Sequence, residues 1–367
     1  MNSRVNVALL SGDEVIDFKV LYCLYRAYPN VHIICNDEKS LIKYSRYKKS
    51  FNYIPWAVSG EDQEEVATKI KIYCDAEEIK IIVTGGSKSS IYLDRYKHIF
   101  SNQIPFPTAD DQTIENTDNK WIFAKTLMAE GISTPFTMLV DTEEAVADEK
   151  KAELEEKIGF PMIVKPVHGD GGLGVRLIHD FEELKDHVLG RHPYNDLPLI
   201  VQEYIEGWDI DHSFVSVDGT ILCYAVQRWE NPDVLEFCKN EQVEKLAEQI
   251  IDVFDYSGPG HFDMIIDSND GKVYVLEMNP GFWRSVPAAM WAGLNIVQSA
   301  VDASLGKEFA SEGAIGTYVL PGAKIKNLIK KPWTYFSLPK TDRQEIWFIL
   351  IDPMPQLMAF LGKGFGG

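Results

Sequence analysis

Over the N-terminal third of the chain, short apolar runs alternate with stretches whose apolar positions recur every three to four residues. Val5–Leu10, Val31–Cys35 and Ile79–Thr84 read as buried strands, and Val15–Ala27 and Glu64–Cys74 as amphipathic helices. Such alternation predicts a parallel sheet with helices on both faces, its strand ends open to a ligand crevice. Gly85, Gly86 and Ser87 end the last of these strands and are candidate contacts in that crevice, or a plain strand-to-helix turn. A linker rich in Pro, Asp and Thr follows (Pro105–Thr117), then a helix Lys120–Glu130 stopped by Gly131. Further on come a strand at Thr137–Val140, an acidic helix Glu143–Ile158, and helices Glu241–Phe254 and Pro287–Leu305 around a mixed sheet. The apolar runs Ile346–Ile351 and Leu357–Leu361 are separated by Asp352, Pro353 and Pro355. Each is far short of the roughly twenty residues that span a bilayer. They are expected to pack on the body or in a dimer, with interfacial membrane contact as the alternative because Lys324–Lys331 is basic.

Two stretches break the pattern and carry chemistry. The first is Phe160-Pro-Met-Ile-Val-Lys-Pro-Val-His-Gly-Asp-Gly-Gly-Leu-Gly-Val175, an apolar strand ending in Lys165 and a glycine-rich turn. Gly169, Gly171, Gly172 and Gly174 allow backbone N–H groups to approach a polyphosphate closely. Lys165 would add a point charge on a phosphate oxygen. A hairpin turn with an ordinary surface lysine would give the same pattern. The turn lacks the Gly-Lys-Ser/Thr of a Walker loop, and no Gly-x-Gly-x-x-Gly opens a helix, which argues against a dinucleotide site.

The second stretch is Gly260-His-Phe-Asp-Met-Ile-Ile, joined through Asp267-Ser-Asn-Asp-Gly271 to Val275-Leu-Glu-Met-Asn-Pro280. The turn sequence predicts a hairpin. Asp263 on one strand, with Glu277 and Asn279 at alternate positions on the other, shares one face. Three hard oxygen donors suit magnesium, which is held by one or two carboxylates together with substrate phosphates. A solvated hairpin face would also carry acids, yet Leu276, Met278 and Pro280 mark this strand end as buried.

These residues resemble the ATP-grasp superfamily of ATP-dependent carboxylate ligases over about residues 105 to 310. The resemblance implies ATP and Mg2+ (or Mn2+) as cofactors. Lys120 and Lys165 match the two lysines on ATP. Gln202, Glu203 and Ile205 match the adenine-holding segment, and Asp209 matches the ribose acid. Asp263, Glu277 and Asn279 match the metal ligands. Within the superfamily, the sequence is most similar to predicted ATP-dependent carboligases and amino-acid ligases, whose hallmark is an acid followed by Asn-Pro-Arg-Phe-Trp-Gly-Ser. Here the run is Glu277-Met-Asn-Pro-Gly281-Phe-Trp-Arg284-Ser285, so arginine and glycine have exchanged places. His261 stands where relatives often carry an arginine. Arg284, His261 and Lys165 are the catalytic candidates, for orienting the carboxylate and stabilising charge.

The implied architecture is α/β, with α+β character in the ATP-grasp part. An N-terminal parallel α/β domain (1–108) precedes an ATP-grasp fold with a mobile lid (109–206), a metal-bearing subdomain (207–320) and an apolar C-terminal extension (321–367). The implied reaction phosphorylates a carboxylate to an acyl phosphate and joins it to an amine, releasing ADP and phosphate. A bicarbonate-dependent, carboxyphosphate-forming enzyme and a catalytically silent ATP-binding protein are the alternatives.

Composition agrees with this and removes other classes. The chain has 367 residues, 45% of them hydrophobic, enough for two or three cores. A net charge of −19 argues against nucleic acid as a partner. Five scattered cysteines fit reduced thiols in the cytoplasm. No signal peptide is expected, because Val5–Leu10 is only a strand-length run. Small-molecule carboxylate and amine partners, no transmembrane segment and a homodimer complete the expectations.

Overall fold

The computed structural model describes residues 5–169, 171–190 and 193–364. Asp170 of the glycine-rich turn and residues 365–367 of the expected C-terminal extension lie outside the described residues.

Three sheets follow one another along the chain. The first contains β1 (Asn6–Ser11), β2 (Val31–Cys35), β3 (Ser50–Tyr53) and β4 (Ile79–Thr84) in the order β3-β2-β1-β4, all parallel. Strands β1 and β2 are buried almost throughout, as a sheet covered by helices on both faces requires. The second contains β5 (Thr137–Val140), β6 (Met162–Pro166), β7 (Arg176–Ile178) and β8 (Leu199–Glu203), antiparallel in the order β5-β8-β6-β7. The third contains β9 (Gly207–Val217), β10 (Thr220–Asn231), β11 (Val234–Cys238), β12 (Gly258–Asp267), β13 (Val273–Pro280) and β14 (Gly316–Val319). Its order is β13-β12-β9-β10-β11-β14, antiparallel throughout.

One face of the third sheet packs on the helix Glu241–Phe254, burying Val243, Leu246, Ala247, Ile250 and Ile251 with Phe214 and Phe262. Helix Lys120–Ala129 closes the same core through Phe123 and Leu127. The other face is apolar at Val215, Cys223, Ala225, Leu235 and Phe237, which pack with Ile296, Val297 and Ala300, and polar towards the β12–β13 edge, where the site is built. The second sheet has its own small core around Phe181, Leu184, Val164 and Val201.

The segment read as a linker contains a helix, Asp111–Asp118, capped by the Asp110 carboxylate accepting from Thr113 N at 2.7 Å. The expected acidic helix at 143–158 is broken into two 3-10 turns, Glu143–Val146 and Asp148–Lys150, before a helix at Lys151–Lys157. Like charges four apart, Glu144 with Asp148 and Glu149 with Glu153, disfavour one continuous helix. The expected helix 287–305 is two, Val286–Trp291 and Ile296–Ser304, separated at Gly293.

The two ends of the chain meet. Phe348, in the helix Lys340–Leu350, stacks on Tyr47 with ring centroids 4.1 Å apart, and Trp291 and Tyr22 pack against it edge-on. Asp352 accepts from Ser45 Oγ at 2.6 Å and Arg46 N at 2.8 Å.

At the mouth of the first sheet, Asp17 is fully buried. Its Oδ2 accepts from Ser11 Oγ, Gly12 N and Asp13 N, each at 2.8 Å. Burial outweighs these donors and pushes its carboxyl from 3.8 up to about 7. A folded-state value above the unfolded one means that ionisation costs stability. This contribution is favourable below about pH 4 and is lost as pH rises towards 7. Asp17→Asn is therefore expected to flatten the fall of melting temperature between pH 4 and 7; an unchanged slope would refute this account.

Candidate active site

The polar face of the third sheet arises from register. Asp263 lies opposite Glu277 on β13 and Asp211 on β9, and His261 lies opposite Asn279 and Ser213. Alternation then puts Asp209, Asp211 and Ser213 of β9, His261 and Asp263 of β12, and Glu277 and Asn279 of β13 on one side. Asn279 Nδ2 donates to Asp263 Oδ2 at 3.1 Å, so the three sequence-predicted metal ligands converge.

Two lysines reach this cluster from elsewhere. Lys165 ends β6 and is 5% exposed; its Nζ lies 3.2 Å from Glu277 Oε2. Lys120 opens its helix behind the Asn119 cap and is 7% exposed; its Nζ lies 3.6 Å from the same oxygen and donates to Gly169 O at 2.5 Å. Burial lowers the pKa of Lys165, with the Glu277 charge opposing and Lys120 adding to the fall. Two ammonium groups converge on one carboxylate, and their donors suit phosphate oxygens.

The glycine turn supplies the matching concavity. Gly169, Gly171 and Gly172 all have positive φ, and a Cβ built at any of them would meet nothing within 4 Å. Gly174 differs: its Cβ would strike Tyr194 and Pro166 at 2.7 and 2.9 Å, so that glycine permits packing. The donor set of open glycine backbone, paired buried lysines and hard oxygens fits a nucleotide polyphosphate with a divalent ion.

Other predicted residues fall in varied places. Gln202 is 2% exposed and donates to Thr137 Oγ1 at 2.9 Å. The Glu203 carboxylate accepts from Phe136 N at 3.3 Å, and Ile205 is buried beyond it. Asp209 has its carboxyl raised by partial burial and by the charge of Asp263. It therefore lies within electrostatic reach of the metal candidates. His261, 9% exposed, has its Nε2 3.1 Å from Asp263 Oδ1 and its Nδ1 2.8 Å from Ser213 Oγ. Both ring nitrogens are thus engaged.

Arg284 is not brought to the cluster. It is exposed and stands beside Lys19, whose pKa is lowered by burial first and by the Arg284 charge in addition. The reason lies at Gly281. Its φ is +112°, and a Cβ there would sit 2.9 Å from Gly86 Cα, because the two glycines form a β-bridge between β13 and the loop after β4. Phe282 N donates to Gly85 O at 2.9 Å beside it. A side chain at position 281 would have to push the Gly86 backbone aside, and the arginine of this segment stands three residues later. The sequence reading missed Asp211, Ser213 and Gln227, which extend the polar face inward; the alternation Asp209-Ile-Asp211-His-Ser213 was the available signal.

Comparisons with known proteins agree with the geometry. Residues 117–284 match the ATP-grasp domain family. The chain is 23% identical over 266 residues to the carbamoyl phosphate synthase large chain of Thermoanaerobacter pseudethanolicus, covering 66% of this chain and 23% of that protein. It thus spans about a quarter of that relative's length. Among solved structures it is similar to an L-amino acid ligase from Bacillus licheniformis, with a TM-score of 0.60, 18% identity, and 84% and 76% of the two chains covered. It is also similar to the N5-carboxyaminoimidazole synthetase of Staphylococcus aureus complexed with ADP, with a TM-score of 0.61, 15% identity, and 87% and 81% covered. Among the described residues no helix is long and apolar enough to cross a membrane. The match over 117–284 identifies an ATP-grasp domain in that part of the chain, where two lysines and a glycine turn face an acid pair.

Proposed function

We propose that the protein is an ADP-forming carboxylate–amine ligase. The observation that carries this is the convergence of Lys120 and Lys165 on Glu277, with Asp263 and Asn279 across the hairpin. Lys120, Lys165 and the backbone N–H groups of Gly169, Gly171 and Gly172 bind and orient the triphosphate of ATP. Gln202, Glu203 and Ile205 border the adenine, and Asp209 lies on the ribose side. Magnesium, when bound, is held by Asp263, Glu277 and Asn279 and neutralises charge on the phosphates.

A substrate carboxylate oxygen attacks the γ-phosphorus and the bond to ADP breaks, giving an acyl phosphate. An amine then attacks the acyl carbon and phosphate leaves, its proton passing to solvent or a nearby base. The carboxylate enters beside the Gly86–Gly281 bridge, with Arg284 and Lys19 on the outer side and His261 next to Asp263 on the inner. The second sheet, within 109–206, acts as the lid over ATP and excludes water from the acyl phosphate. It moves against the metal-bearing part (207–320), while the N-terminal domain (1–108) and the segment 321–367 stay together. The five free cysteines fit a cytoplasmic enzyme. Exposed Trp333 and Phe336 offer a surface for a homodimer.

The test uses Mg-ATP, pooled amino and hydroxy acids and hydroxylamine, with mass spectrometry for ADP and hydroxamates and Glu277→Gln as control. A hydroxamate absent from the control supports the ligase and names its acid. The similarity to carbamoyl phosphate synthase favours one other reading, carboxyphosphate formation. ADP release that requires bicarbonate and yields no hydroxamate would select it. ATP binding with no turnover under any condition would leave a silent nucleotide-binding protein.

A further inference from the structure

Metal-ligand chemistry on the polar face of the third sheet does not stop at Asp263, Glu277 and Asn279. Register continues it onto β9, where Asp211 faces Asp263 and Ser213 faces His261. One ligand atom each from Asp211, His261 and Asp263 lies within 4.8 Å of the other two. His261 Nε2 stands 3.1 Å from Asp263 Oδ1 and 3.9 Å from Asp211 Oδ2.

The ring is held from two sides. Its Nδ1 is 2.8 Å from Ser213 Oγ, and it stacks on Trp283 at 5.7 Å with 15° between planes. In the tautomer that donates from Nδ1 to Ser213, the Nε2 lone pair points at both carboxylates, the arrangement by which proteins orient a ligating histidine. Asp211, 8% exposed, is held by Gln227 Nε2 at 3.2 Å, which also donates to Ser285 Oγ at 3.0 Å. Charge points the same way. Glu277 is matched by two lysines. Among the described residues, Asp211 and Asp263 have only His261 as an ion-pair partner. Asp211 is withdrawn from water and needs a partner, and the half-exposed Asp263 opens the pair to an entering ion.

We propose that Asp211, His261 and Asp263 form a second divalent-cation position that takes Mn2+ in preference to Mg2+, with Asp263 bridging it to the Glu277 and Asn279 position. The inference rests on the reading of Asp263, Glu277 and Asn279 as the nucleotide's magnesium site. Magnesium is restricted to oxygen donors and dehydrates reluctantly, whereas imidazole suits first-row transition ions. Because all three ligands come from the protein, this ion binds without nucleotide. It would lie between the phosphates and the loop bearing Trp283 and Arg284, making the enzyme's response to manganese a property of position 261.

Nucleotide-free protein is titrated with Mn2+ and followed by continuous-wave and pulsed electron paramagnetic resonance. The expected result is one tight ion showing nitrogen modulation from a single imidazole, retained against a large excess of Mg2+. His261→Asn removes the modulation and weakens Mn2+ binding by about tenfold or more; Ser213→Ala keeps every ligand but weakens it by about tenfold through lost ring orientation. Glu277→Gln leaves the nitrogen signal in place. Melting curves on each variant separate lost metal binding from lost folding, and the wild-type signal stands even if His261→Asn does not fold. Mn2+ bound without nitrogen modulation, or no Mn2+ bound in the absence of nucleotide, overturns the proposal. Failure of the underlying ATP-grasp reading would instead appear as absence of Mg-ATP binding to the wild-type protein.

Discussion

Glu277→Gln is expected to lower ATP-dependent ADP release by roughly a hundred- to a thousandfold, the range seen when one charge-stabilising group is lost from a pre-organised site. Glu277 is the carboxylate that Lys165 and Lys120 share, at 3.2 and 3.6 Å, and it stands opposite Asp263 on the adjoining strand. Glutamine keeps the shape and a carbonyl oxygen but removes the charge. Two buried ammonium groups then face each other with only the weaker influence of the Asp263 charge on Lys165. Burial already lowers the pKa of Lys165 and Glu277 resists that fall, so the variant gives up this proton at lower pH than the wild type. The rate loss should therefore grow with pH. Lys165→Met, which leaves Glu277 paired with Lys120, is expected to damage turnover while sparing the fold. Steady-state ADP release across pH, with melting curves beside it, checks both; Glu277→Gln turning over at the wild-type rate would remove this residue from the chemistry.

Restoring the family order by exchanging Gly281 and Arg284 is expected to destabilise the protein instead of improving it. A side chain at 281 meets Gly86 Cα at 2.9 Å and Ser87 N at 3.2 Å, both backbone atoms that cannot turn aside. The φ of +112° adds strain for any residue with a Cβ. Strained backbone costs roughly 1–3 kcal/mol and overpacking a similar amount, so Gly281→Arg should lose about 2–6 kcal/mol. Since the Gly86–Gly281 bridge joins the first sheet to the metal-bearing hairpin, the KM for the carboxylate should rise more than that for ATP. Gly281→Ala is the milder form. Denaturant unfolding of both variants tests this, and a Gly281→Arg protein as stable as the wild type would show that the bridge is dispensable. Arg284→Gly alone, at an exposed position, should leave stability nearly unchanged.

Much of this site was legible because its signals are local. Strand period two placed Asp263, Glu277 and Asn279 together, and the Asp267–Gly271 turn fixed their hairpin. Lys165 next to a glycine turn was likewise readable. What failed to show depends on strands far apart in sequence. Asp211 and Ser213 join the site only because β9 inserts beside β12, and pairing between distant strands leaves no mark in either one. The place of Arg284 depends on a backbone contact with Gly86, far upstream in the chain. Helix ends were misread for a related reason: Asp110 is a capping residue inside a run of turn-formers, and an acidic stretch with helical composition breaks where like charges align.

The stacking of Tyr47 on Phe348 also bears on how the protein is made. Their side-chain-to-backbone contact spans 301 positions. The core that holds the first sheet takes in Val7 and Leu9 together with Phe282, Ala300 and Phe348. A ribosome adding roughly 5–20 residues per second releases the first sheet many seconds before Phe348, which packs on Tyr22, Tyr25 and Tyr47. In that interval Tyr22, Tyr25 and Tyr47 have no partner from the far end, and the nascent chain carries an aromatic face open to chaperones and to other chains. Contacts of such long range slow the search for the native state. For this protein, the steps most exposed to aggregation fall during synthesis, before the site that defines it has been closed.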